Sequence, residues 1–153
     1  MGLDLYYKED DEFVLITKDN DKTNPLVTIH DGKIGDTLTV CVYLRNDDAT
    51  KWFSNIRIQP ADLEDANPYG DVIYSETGWG VKLNAGANEP SQGQWEDLPW
   101  GNTIKMGDVG SDVLGDIATY YPFWYLITCP PNTDAKVKTD IILRVSATEN
   151  SVV

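Results

Sequence analysis

The sequence has a single histidine, His30, and only two cysteines, Cys41 and Cys129. That scarcity removes His-based metal clusters and most Ser/His/Asp or Cys/His sets, which need an oriented imidazole beside a nucleophile or several ligands at set spacings. Two separate thiols make no Cys-x-x-Cys pair. Basic side chains are also few, 12 against 25 acidic ones, giving a net charge of −13 and a pI of about 4.2. Without a positive excess there is no counterion release to drive binding to nucleic-acid phosphates, and anionic membrane surfaces are disfavoured for the same reason. No run approaches the roughly 18 apolar residues of a membrane-spanning helix. Residues Met1 to Lys8 carry neither a basic nor an apolar targeting region, and Tyr6 stands where myristoylation prefers Ser or Thr, so cytosolic synthesis without a lipid anchor is expected. Phosphate-cradling glycine motifs are missing as well, which excludes the familiar nucleotide enzymes.

What is present is one domain's length, 153 residues, with 5 Trp, 8 Tyr and 3 Phe, too aromatic for a disordered acidic chain. The clearest periodicity is two. Leu38, Val40, Val42 and Leu44 share one face and Thr39, Cys41, Tyr43 and Arg45 the other, the pattern of a half-buried strand. Ile56 and Ile58 alternate in the same way, as do Trp79, Val81 and Leu83, and then Ile141, Leu143, Val145 and Ala147. Weaker strand candidates are Phe13–Thr17, Leu26–Asp31 and Thr103–Met106. The stretch Pro122–Cys129, apolar on both faces, reads as a central strand covered on both sides. Turn signals at Asp31-Gly32, Asn46-Asp47-Asp48, Asn67-Pro68-Tyr69-Gly70, Asn84-Ala85-Gly86 and Pro130-Pro131-Asn132 separate these segments. The expectation is an all-β, single-domain antiparallel sandwich. Short helical turns are expected at Pro60–Ala66 and Asp108–Ala118, and exposed or partner-ordered segments at Glu9–Glu12 and Glu149–Val153.

Each candidate for chemistry has a plainer reading beside it. A catalytic His30 would need a carboxylate to orient it and a nucleophile next to it; a strand-end histidine before a turn needs neither. Cys41 falls on the face opposite the core, which argues against an inter-sheet disulfide. Asp19-Asn20-Asp21 opens like a calcium loop but lacks the glycine and bidentate glutamate of an EF-hand, leaving at most an irregular site of loop carboxylates. Asp108, Asp112 and Asp116 recur every four residues, yet Gly107, Gly110 and Gly115 among them favour a solvated loop over a helix face. The aromatic residues serve either as a stacking platform for sugars or as filling for a sandwich core. The long irregular connection Asn84–Asn102 holds Trp95 and Trp100, the best candidates for contact with something outside the domain.

Two stretches carry a resemblance. Gly35 to Asn46 resembles the second strand of immunoglobulin-like domains that open with Gly-Asp and close with Leu-Arg-Asn. Pro122 to Thr133, followed by Thr139 to Ala147, resembles their F–G hairpin, with Asn132 in place of the usual glycine. Together with the acidic, free-standing character, this is similar to accessory structural proteins of tailed bacteriophage particles. The resemblance implies a non-enzymatic role in the virion, as a capsid decoration protein or a neck, tail or baseplate component. It also implies a homo-oligomer or symmetry-repeated copies that bind neighbouring structural proteins, with no catalytic residue, cofactor or metal. The expected interface residues are Trp95, Trp100, Pro99, Tyr69 and Trp52. The alternative is a carbohydrate-binding module that uses exposed aromatics on a surface glycan, and a hydrolase stands third.

Overall fold

Among the described residues, alternation of apolar side chains along nine strands builds two antiparallel sheets that share one core. The computed structural model describes residues 2–17, 26–31, 34–62, 78–131 and 137–153. Its strands are β1 (Leu3–Glu9), β2 (Glu12–Thr17), β3 (Leu26–Ile29), β4 (Asp36–Asn46), β5 (Lys51–Asp62), β6 (Gly80–Asn84), β7 (Ile104–Lys105), β8 (Tyr121–Cys129) and β9 (Val137–Ser151). A short helix, α1 (Gln92–Glu96), lies between β6 and β7. One sheet has the order β2-β1-β4-β8-β6 and the other β3-β9-β5-β7. The expected all-β antiparallel sandwich is the observed architecture.

The inward faces follow the period-two pattern. Val42 and Leu44 of β4, Phe123, Tyr125 and Ile127 of β8, and Val81 and Leu83 of β6 meet Phe53, Ile56 and Ile58 of β5 and Ile141 and Val145 of β9 in one buried cluster. Burying each such side chain contributes about 1.5–3 kcal/mol, so this layer supplies the bulk of the fold's driving force. β8 is an interior strand, paired to β4 on one side and β6 on the other, as its two apolar faces predict. Cys41 lies on the outer face of β4 and the buried Cys129 on the inner face of β8; neither is in a disulfide.

The expected exposed segment Glu9–Glu12 takes a defined form, and three further local features depart from the sequence-based expectations. Glu9–Glu12 is the turn of the β1–β2 hairpin: Asp10 (φ 51°) and Asp11 (φ 65°) form a two-residue loop with both central residues left-handed, which matches the strand twist. In β5, Asn55 takes φ 50° where the pairing to β9 shifts between Ser54 and Arg57. This bulge lets Phe53 and Ile56, three residues apart, both face the core. Pro60, Ala61 and Asp62 end β5 and start no helix, while Leu63 to Ala66 lie outside the described residues. Residues 108–118 form no helix either; a turn bridges Ser111 and Leu114.

The F–G hairpin implied by the resemblance is not formed. β8 already has β4 and β6 on its two edges, and β9 pairs with β3 and β5 in the opposite sheet. From β2 onward every successive described strand crosses to the other sheet. That alternation is the double Greek-key connectivity of jelly rolls, and it places long loops at both ends of the sandwich.

Candidate functional site

The outer face of the five-stranded sheet carries a groove of about 400 Å³. Its floor is Thr37 and Thr39 of β4, Leu126 of β8 and Lys82 of β6; its wall is Trp95 of α1, with Trp100 beside it, and Glu89, Pro90, Gln92 and Glu96 form the rim. Alternation puts Thr37, Thr39, Lys82 and Leu126 on this face, because their neighbours point into the core.

The wall is held by specific contacts. Ser91 caps α1: its hydroxyl accepts from the Gln94 amide at 3.3 Å, and the Gln94 side chain accepts from the Ser91 amide at 2.9 Å. α1 has no basic residue in its last turn. Lys82, buried against the sheet, donates to the Trp95 carbonyl at 2.9 Å and so places a cation at the helix C-terminus. The same ammonium lies 4.4 Å from the Trp100 ring centroid, a cation–π contact. Gly80 lets that indole lie close on β6, since a Cβ there would meet Trp100 Cε3 at 2.6 Å. The exposed edge of β6 is then closed. Gly101 donates to the Val81 carbonyl at 2.7 Å, and the Asn102 side chain both accepts from the Leu83 amide and donates to the Leu83 carbonyl at 2.8 Å. Across the groove, Thr39 donates to Glu89 at 2.7 Å. The Trp95 indole N–H is buried without an acceptor among the described residues.

Near the opposite end of β4 lies a second candidate region, the loop of residues 107–120. Val109 and Phe53 exchange backbone hydrogen bonds at 2.9 Å, and Ser111 and Leu114 close a turn. The buried Asn46 amide donates to the carbonyls of Lys51 at 2.9 Å, Asp48 at 3.1 Å and Gly115. Gly115 packs directly on the Ala49 backbone, where any Cβ would collide. Arg45 donates to the Ile117 carbonyl at 2.8 Å. Tyr121 and Thr119 donate to the Asp116 carboxylate; the Tyr121 hydroxyl is the main reason that carboxyl is held below its ordinary value. This braced loop nevertheless holds apolar side chains in solvent: Val113 is 77% exposed, Leu114 61% and Ile117 39%. Val153, fully exposed, is tied alongside by the hydrogen bond its backbone amide donates to the Asp112 carbonyl at 2.7 Å.

A third cluster gathers what the sequence kept apart. His30 Nδ1 is 2.6 Å from Asp36 Oδ1, and Thr28 Oγ1 is 2.6 Å from His30 Nε2, with Trp79 edge-on to the ring. This has the order of a nucleophile, base and orienting acid. Thr28 and His30 are only 6% and 3% exposed, which closes the hydroxyl to a substrate. Cys129 Sγ joins His30 and Asp36 in a set of donor atoms within 4.8 Å of one another, so counting histidines was too coarse a test for a metal cluster. Here both ring nitrogens are engaged by Thr28 and Asp36, and the second Asp36 oxygen accepts from the Asp31 amide at 2.8 Å. The geometry is that of a buried clamp joining the end of β3 to the start of β4.

Of the expected interface residues, Trp95 and Trp100 meet at the groove, and Pro99 is exposed immediately before Trp100. Trp52 is half-buried at the other region, against Gly110. Tyr69 and the Asp19-Asn20-Asp21 stretch lie outside the described residues. Sequence reading missed Lys82, Thr39 and Glu89, which three separate segments bring together, and the apolar tip at Val113 and Leu114. Among the other aromatics, Tyr6, Phe13, Tyr43 and Tyr120 satisfy one another on the outer face, with Phe13 stacked on Tyr120 at 3.6 Å. Phe53, Phe123 and Tyr125 fill the core. No family model, curated protein or solved structure matches the chain.

Proposed function

We propose that the protein is a non-enzymatic structural component of a tailed-phage particle, in the capsid decoration, neck, tail or baseplate class, and that it docks on a neighbouring subunit through the 107–120 loop end. The observation that carries this reading is a set of large apolar side chains held in solvent by a loop whose Gly115 and Ile117 carbonyls are braced by Asn46 and Arg45. Presenting Leu114 and Val113 on a pre-ordered loop reduces the entropy that binding would otherwise cost. The net charge of −13 disfavours a second copy of the same surface, so the matching face is an apolar pocket with a basic or polar rim on another structural protein.

Size-exclusion chromatography and negative-stain microscopy of the protein mixed with tailed-phage particles provide the test. Stable association is expected, weakening as salt is raised, and Leu114→Asp reduces it by at least about tenfold, as loss of a central apolar anchor does. A protein that stays monomeric and never associates with particles or their isolated subunits overturns the reading.

A further inference from the structure

We propose that the groove under α1 is a saccharide site that takes one or two units of a neutral glycan. The inference does not depend on the particle reading, because the groove lies on the outer sheet face, away from the loop end that would dock.

Size and chemistry both point to this class. A volume of about 400 Å³ falls within the roughly 300–1,000 Å³ of small-ligand pockets and is far below what a folded partner needs. A pyranose offers an apolar face and a ring of hydroxyls that donate and accept, and the groove supplies the complement of each. Trp100 and Leu126 are the apolar surfaces; Thr37, Thr39, Glu89 and Gln92 are the hydrogen-bonding ones. Competing classes fit less well. An anion would find a single ammonium, Lys82, already committed to the Trp95 carbonyl and the Trp100 ring, with Glu89 and Glu96 on the rim. A nucleotide meets the same obstacle. An extended peptide cannot add to β6, because Gly101 and Asn102 occupy its edge. A purely apolar ligand would displace water from the Glu89 carboxylate, whose bond from Thr39 uses only part of its acceptor capacity.

The site is also pre-formed, which lowers the entropy that binding costs. The capping box fixes the start of α1, Lys82 fixes its end, and Gly80 seats Trp100 on the sheet.

The test titrates the full chain with an array of neutral oligosaccharides covering the common hexoses, pentoses and N-acetylhexosamines. Tryptophan emission is followed, with calorimetry on any hit and inorganic phosphate as the anionic control. At least one sugar is expected to bind saturably. Trp100→Ala weakens that binding by at least about tenfold, and Glu89→Gln weakens it several-fold, while Leu114→Asp leaves it unchanged. If Trp100→Ala does not fold by near-ultraviolet circular dichroism, the exposed-rim substitutions Glu89→Gln and Gln92→Ala decide. A natively folded protein that binds no member of the array overturns the proposal, as does binding indifferent to all the groove substitutions, or phosphate binding in place of sugar. Particle association measured on the groove variants separates the two readings, since a glycan failure leaves docking intact.

Discussion

The groove and the loop end use the same device to opposite effect. In each, one buried polar side chain at the margin of the sandwich satisfies loop carbonyls: Lys82 reaches Trp95, and Asn46 reaches Asp48, Lys51 and Gly115. At the groove the braced segment turns its bulky ring inward, so Trp95 is buried and polar groups line the rim. At the loop end the backbone is the part turned inward, and Val113 and Leu114 are left outside. A loop with satisfied backbone groups is free to present whichever side chains its sequence supplies, and what it presents is then a matter of selection and not of folding cost.

Substitutions can break this comparison or sharpen it. Asn46→Ala is expected to have the largest effect, a loss of about 3 kcal/mol, because it strands the buried Gly115 carbonyl and the half-buried carbonyls of Asp48 and Lys51 at once. Urea unfolding gives the magnitude. Hydrogen exchange should show faster opening in 107–120 while the amides of α1 keep their protection; equal acceleration in both would mean that the two regions are not separately braced. Gly115→Ala should cost about 2 kcal/mol, since the added methyl meets the Ala49 backbone and the loop must move away. Its particle association is expected to fall with its stability, measured by thermal unfolding and sedimentation together. Lys82→Met is the mirror experiment and should cost about 1–2 kcal/mol. It should free the end of α1 and change tryptophan emission without altering the loop end; an unchanged α1 would show that packing of Trp95 alone holds the wall.

A smaller effect comes from acid. The Tyr121 hydroxyl lowers the Asp116 carboxyl below its ordinary value, so the linked stabilisation is complete above the unfolded-state value of about 4 and is lost as pH falls through the folded-state one. Because Asp116 is only half-buried, the energy is discounted for solvent screening and stays well under about 1 kcal/mol. Nuclear magnetic resonance of Thr119 and Tyr121 between neutral pH and pH 3 should show the loop loosening. Asp116→Asn should flatten that response and leave the groove resonances unmoved. The smallest expected change is a gain: Asp11→Gly, at φ 65° in the hairpin turn, should stabilise the fold by about 0.5 kcal/mol in thermal unfolding.

Much of the sandwich was legible because burial imposes parity locally. Leu38, Val40, Val42 and Leu44 announce β4 without reference to any other segment, and the doubly apolar Pro122–Cys129 announces its interior position. The full length of β5 was hidden by its bulge, since Asn55 puts Phe53 and Ile56 on one face at a spacing of three. β1 was missed because only Leu3 and Leu5 alternate before Tyr6-Tyr7 breaks the pattern. Connectivity was not legible at all: which strand β8 or β9 pairs with depends on contacts distant in sequence, so a hairpin and a crossover read alike. The site divides the same way. Two indoles in an irregular stretch mark Trp95 and Trp100, whereas Thr39, Lys82 and Leu126 look like ordinary strand residues until three strands set them side by side. Glycines around Val113 and Leu114 suggested only solvated chain, although the turn they permit is what holds those side chains out.

The Asn102 side chain on β6 bears on how copies of this chain would meet if crowded together. Its carboxamide reproduces the donor and acceptor of one more strand at Leu83, so that rim offers no open amide row to a neighbour's backbone. Crowded copies therefore cannot fuse through β6 into a continuous sheet, and any contact made on that side has to be read by side chains. On the flank where the groove opens, Asn102 and Gly101 together leave recognition to side chains.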